Sequence, residues 1–209
     1  MSEISAIEVK ELREISGAGM MDCKKALSEA SGNLDKAMDL LRKSGIAKAQ
    51  KKTGRSTKEG MIYSYIHPGA KLGVLIEINC ETDFVANTDE FKKLNKDLAM
   101  HIAASAPMSV TRDEISNRTL DREKEIYADQ ARQSGKPEDI IEKMTEGRLN
   151  KFFQENVLLE QAFVKDPDKT VSDLIAETVA KLGENILISR FSRFQLGEKI
   201  VHNSVPKDN

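Results

Sequence analysis

Apolar positions recur at helical spacing through residues 1–50 and then switch to the closer spacing of strands. On a wheel of ~100° per residue, Ile4, Ile7, Leu12 and Ile15 share one face of a first helix, which Ser16, Gly17, Ala18 and Gly19 interrupt. Cys23, Ala26, Leu27 and Ala30 line a second helix that closes at Ser31 and Gly32. Asn33 is placed to cap a third helix with the face Leu34, Ala37, Met38 and Leu41, whose end is expected at Ser44 and Gly45. Residues 1–50 therefore predict a minimal three-helix bundle.

From Arg42 to Lys58 there are seven basic residues (Arg42, Lys43, Lys48, Lys51, Lys52, Arg55 and Lys58) and no acidic one. The polar stretch 51–60, with Gly54 inside it, reads as a basic linker, most simply a solvated hinge and alternatively a weak contact with an acidic partner or RNA. After Gly60, Met61, Ile62, Tyr63, Tyr65 and Ile66 run into His67, Pro68, Gly69 and Ala70, and Val74, Leu75, Ile76 and Ile78 return, which predicts a hairpin. Asn87 or Thr88 caps the next helix, with Phe91, Leu94, Leu98 and Ile102 on one face until Pro107 stops it.

The charge-rich segment 111–153 predicts a helical hairpin broken at residues 134–137, with Pro137 in the first turn of the second arm. The first arm is sparse in apolar positions (Ile115, Leu120, Ile126, Tyr127), so it is expected to project from the body. The second is richer, with Ile140, Ile141, Met144, Leu149, Phe152 and Phe153. Val171, Leu174, Ile175, Val179 and Leu182 mark a further helix, and Ile186, Leu187, Ile188, Phe191 and Phe194 a last strand. The expected fold class is α+β: the bundle, the linker, an α+β core over 61–197 with a small antiparallel sheet and covering helices, and a polar tail over 198–209.

Composition narrows the function. The chain has 209 residues, 39% of them hydrophobic, without an apolar run long enough to span a membrane, and its start (Met1, Ser2, Glu3, Ile4) lacks the pattern of a signal peptide. A cytoplasmic protein with no membrane partner is expected. Lys and Arg number 32 against 34 Asp and Glu, so the formal charge of -2 provides no global field for nucleic acid. Aromatic residues are 5%, with no tryptophan, which argues against a base-stacking surface, and no direct nucleic-acid contact is expected.

Two cysteines, Cys23 and Cys80, without a CxxC pair, and three histidines offer neither a disulfide framework nor a zinc site. No glycine-rich phosphate loop occurs. Cys80, Asp83 and His101 can be assembled on paper as an activated thiol, but His101 falls beside Leu94 and Leu98 on the helical face and Cys80 reads as a small core residue. No catalytic constellation emerges, so neither an enzyme nor a bound cofactor is expected. Binding features are better marked. Met21 lies off the face of the second helix and with Met20 puts a flexible apolar pair at the bundle's edge. In "NCETDFVANTDEF" (79–91), Phe84 sits at a polar corner between strand and helix, either as a plug for the core or as a ring aimed outward.

Four blocks in order, "LREISGAGMMDCKKAL" (12–27), "INCETDFVA" (78–86), "SGKPEDIIEKMTEGRLNKF" (134–152) and "LGENILISRF" (182–191), resemble the translation elongation factor Ts family, the nucleotide exchange factors of elongation factor Tu. The resemblance implies a bundle of the ubiquitin-associated type that docks on the partner through Leu12, Met20 and Met21. It implies that Thr82, Asp83, Phe84 and Val85 carry the wedge that disturbs the partner's magnesium and phosphate site, and that His67 and Leu182 reach other surfaces of the same partner. Longer members repeat the strand-and-helix unit, whereas this chain carries a single copy. A lone copy leaves a sheet edge or apolar face uncovered, so a homodimer is expected. The competing expectation is a helical adaptor or RNA-contacting module without exchange activity.

Overall fold

The computed structural model describes residues 4–133, 135 and 137–198. The expected tail from 199 onward lies outside them. The first helix, α1 (Ala6–Ser16), opens on a reciprocal cap: the Ser5 hydroxyl accepts the Glu8 N–H while the Glu8 carboxylate accepts the Ser5 N–H. It ends at Gly17, whose positive φ of 66° closes the helix. Helices α2 (Met20–Glu29) and α3 (Leu34–Gln50, capped by Asn33) complete the bundle.

The bundle's core is Val9, Leu12, Cys23, Ala26, Leu27, Ala30 and Ala37. The face expected for α1 is rotated. Val9 joins Leu12 inside, whereas Ile7 and Ile15 are 79% and 63% exposed. The expected stripe put Ile7 and Ile15 inward because they share a face of the wheel with Ile4 and Leu12, but α2 and α3 meet the side of the wheel that carries Val9 and Leu12.

The body begins with β1 (Glu59–Ile66) and β2 (Leu72–Cys80), an antiparallel hairpin. A one-turn helix, α4 (Asp83–Ala86), and then α5 (Asp89–Ser105) follow, capped by Thr82 and Thr88. The helical hairpin is α6 (Asn117–Arg132) and α7 (Glu138–Asn156). A short antiparallel pair, β3 (Ala162–Phe163) and β4 (Asp166–Thr170), was not foreseen in the sequence and leads into α8 (Val171–Leu182) and β5 (Leu187–Gln195). Strand β2 lies between β1 and β5, antiparallel to both.

Helix α5 covers one face of this sheet, and α8 joins the same core from beside α5. Val74, Ile76 and Ile78 of β2 pack with Phe91, Leu94, Leu98 and Ile102 of α5 and Val171 and Val179 of α8. The opposite face carries Ile62, Ile66, Leu75 and Phe194, all exposed. A satellite cluster of Ile115, Phe152, Phe153 and Val157 anchors the base of the α6–α7 hairpin. The Arg112 guanidinium lies 4.2 Å from the centroid of Phe153 and pairs with Glu160.

The expected stop of the third helix at Ser44 and Gly45 is overturned: α3 runs through both to Gln50. Gly45 is where α3 crosses α8, and a Cβ there would stand 3.4 Å from the Cβ of Ala180. The glycine permits close approach of two helices instead of ending one. Beyond α3, the basic stretch read as a solvated hinge is fastened to the body: Lys52 Nζ donates to the Gly183 carbonyl, and the Arg55 guanidinium pairs with Glu81 at 3.6 Å. No described helix is long and apolar enough to cross a membrane.

Candidate functional site

At the end of β2 the backbone turns through Glu81 into α4. Thr82 has an extended backbone and caps the new helix through its hydroxyl, which accepts the Val85 N–H at 3.4 Å. Val85 and Ala86 turn inward and are buried, while Asp83 and Phe84 turn outward. Phe84 is 82% exposed, the most exposed of the large hydrophobic side chains described. The ring is therefore presented to solvent from an anchored turn, and the core-plug alternative fails. Burying such a ring in a partner is worth about 1.5–3 kcal/mol.

A carboxylate holds this corner from the far end of the chain. Glu184 Oε2 accepts the N–H groups of Glu81 and Thr82, each at 3.0 Å, and Oε1 accepts the Thr82 hydroxyl at 2.6 Å. In return, Glu81 Oε1 accepts the Asn185 N–H at 2.7 Å, and Asn185 Nδ2 donates to the Arg55 carbonyl at 3.0 Å. The motif "LGENILISRF" contains Glu184 and Asn185, but no local pattern ties them to a corner about one hundred positions earlier. The single hint is a carboxylate next to the helix-ending Gly183, which has φ 81°.

The other singled-out residues are spread over the molecule. Met20 and Met21 are exposed at the start of α2, 47% and 76% respectively. Leu12 is fully buried in the core of the bundle. His67 is exposed at the tip of the β1–β2 hairpin, its Nδ1 2.9 Å from the Tyr65 hydroxyl. Leu182 ends α8 and packs partly buried against the main core.

The thiol constellation does not form. Cys80 is fully buried and donates to the Thr82 carbonyl at 3.2 Å. Burial, with the Glu184 charge beside it, pushes its thiol up to about 11, far from a nucleophilic thiolate. His101 is buried against Phe163 and bonded elsewhere: the Val164 N–H donates to Nδ1 at 3.2 Å, so Nε2 carries the proton and donates to Gln161 Oε1 at 2.9 Å. Burial lowers its pKa, opposed by the Gln161 bond. Among the described residues no group of three His, Cys, Asp or Glu side chains stands ready to hold a metal.

Comparison with known proteins places the whole described chain in one context. A family model described as Elongation factor TS matches residues 4–198. The chain is 58% identical over 196 residues to the elongation factor Ts of Fervidobacterium nodosum, covering 94% of this chain and 100% of that one. It is 58% identical over 195 residues to that of Geobacter sulfurreducens, covering 93% and 90%, and 55% identical over 201 residues to that of Thermoanaerobacter sp. strain X514, covering 96% and 98%.

Proposed function

This chain belongs to the elongation factor Ts family, and we infer from that membership that it is a guanine nucleotide exchange factor of translation elongation, acting on elongation factor Tu. It binds the GDP-loaded partner and promotes GDP release so that GTP can enter. In the mechanism we propose, the bundle docks through the exposed Met20 and Met21, with Leu12 supporting that surface from within, while Thr82, Asp83, Phe84 and Val85 form the wedge. Phe84 enters beside the partner's magnesium and phosphate site, and Asp83 perturbs the network that holds the metal. His67 at the hairpin tip and the region of Leu182 make the outlying contacts.

The energetics follow from linkage. A GTPase holds its diphosphate through a phosphate cradle and magnesium, so a protein that binds the distorted, empty state more tightly weakens nucleotide binding by the same factor. Coupling of ~1 to 3 kcal/mol between sites is typical, and several contacts together offset the lost phosphate contacts. No covalent bond changes on this chain, and its role requires no catalytic group or cofactor of its own.

The observation that carries the wedge reading is the 82% exposure of Phe84 on a turn whose neighbours Val85 and Ala86 are buried. A ring held out by a fixed backbone is suited to enter another protein. The test is release of labelled GDP from elongation factor Tu by the wild type and Phe84→Ala. A fall in the maximal release rate on the order of 10-fold or more is expected from the loss of an apolar contact made only in the opened state. Equal rates would remove Phe84 from the mechanism.

We further propose that the protein works in the cytoplasm as a homodimer and touches no nucleic acid directly. The exposed face of the three-stranded sheet, with Ile62, Ile66, Leu75 and Phe194, supports self-association. The adaptor alternative draws on the basic linker, and two of that linker's charges are already engaged with Gly183 and Glu81.

A further inference from the structure

We propose that Glu184 is the positioning residue of the wedge: its carboxylate, crossed with that of Glu81, fixes the backbone from which Phe84 projects. The inference rests on the wedge reading above and deepens it. Phe84 is almost wholly solvent-exposed, so its own ring has little packing to set its direction. Direction comes from α4, which is four residues long and too short to be stable by itself. Something outside the turn must hold it.

Its C-terminal side is held by the burial of Val85 and Ala86. Its N-terminal side has a different anchor: both oxygens of Glu184 are committed to the two residues preceding α4, through two backbone N–H groups and the Thr82 hydroxyl. The same hydroxyl caps α4 at Val85 N–H, so Glu184 fixes the group that starts the turn. Bonds to an ionised acceptor are about twice as strong as neutral ones, and three converge here on one side chain. The return bond from Asn185 N–H to Glu81 Oε1 locks the two loops against sliding, since displacement of either breaks bonds at both ends. For an inserting group, a misplacement of about 1 Å can reduce the rate on the order of 100-fold.

The experiment measures GDP release from elongation factor Tu at rising concentrations of the full-length factor, separating maximal rate from half-saturating concentration. Glu184→Ala is expected to lower the maximal rate on the order of 10- to 100-fold, with a smaller change in half-saturation because Met20 and Met21 belong to a different element, α2, that the Glu184 carboxylate does not bond. Glu184→Gln, whose amide oxygen still accepts both N–H groups and whose NH2 still meets the Thr82 hydroxyl, restores most of the rate. In a Phe84→Ala background, Glu184→Ala adds a smaller loss than it causes in the wild type, the remainder coming from the displaced Asp83. Amide exchange gives a readout independent of activity: in Glu184→Ala the Glu81 and Thr82 amides exchange faster while those of the central strand stay protected.

A wild-type maximal rate in Glu184→Ala overturns the inference, as does a loss that is fully additive with Phe84→Ala, which would mean that Glu184 acts by another route. If Phe84→Ala alone retains the wild-type rate, the wedge reading falls and this inference with it. If Glu184→Ala loses protection throughout the chain, Glu184→Asp carries the test, since its shorter side chain cannot span all three donors. A reduced rate is then expected, and a wild-type rate overturns the proposal.

Discussion

His101 shows how a single side chain records its surroundings. Burial disfavours the imidazolium, and protonating Nδ1 would set it against the Val164 N–H that now donates to it. The folded pKa is depressed, so the unfolded chain binds more protons between that value and the ordinary one of about 6.5, and stability rises with pH across the window. The contribution is complete above about pH 6.5 and is lost on acidification through the window. Urea titrations from pH 8 to pH 5 are expected to show a fall in the wild type that is smaller in His101→Gln. Parallel curves would refute this account. The structural role of His101 was legible in the sequence from its place beside Leu94 and Leu98. The outward ring of Phe84 was not, because a polar corner permits either direction until Val85 and Ala86 are seen to take the inner positions.

At the scale of elements, periodicity located most helices and the sheet, and failed where a residue has two uses. Glycine after a polar run signals a helix end, yet Gly45 lies inside α3 and admits α8. A close contact made 135 positions away has no local trace. The crossing gives a discriminating pair of substitutions. Gly45→Ala adds a methyl at ordinary contact distance in a helix interior and is expected to change stability by within about 1 kcal/mol, because helix propensity offsets the tighter fit. Gly45→Leu overpacks the crossing and is expected to destabilise by ~1–3 kcal/mol. Urea unfolding measures both, and equal midpoints for the two variants would show that the crossing is loose. Gly60 is a contrasting case, with φ 147° and no room for a Cβ against the Ile78 carbonyl. The pair β3 and β4 escaped prediction because Ala162–Phe163 and Asp166–Thr170 are too short and too polar to alternate visibly. Glu184 was equally hidden, since its partners lie in Glu81 and Thr82 and no spacing rule connects them.

For the whole molecule, a sheet with helices on one side leaves an apolar face that water must cover unless a second copy does. The expected solution mass is twice that of the chain. Phe194→Asp, which places a charge on the β5 edge of that face, is expected to halve the mass without unfolding the protein. Light scattering decides it, and a wild-type mass equal to one chain would dispose of the dimer. The bundle and the body are joined more firmly than a hinge would join them. Helix α3 carries the bundle directly into the crossing at Gly45, and the segment after it is pinned at Lys52 and Arg55 to the loops that hold Thr82. The two methionines and the aromatic ring therefore stand like the jaws of a caliper set to one gap. The freedom to orient them is surrendered when the chain folds, before any encounter, so little of it remains to be lost on docking.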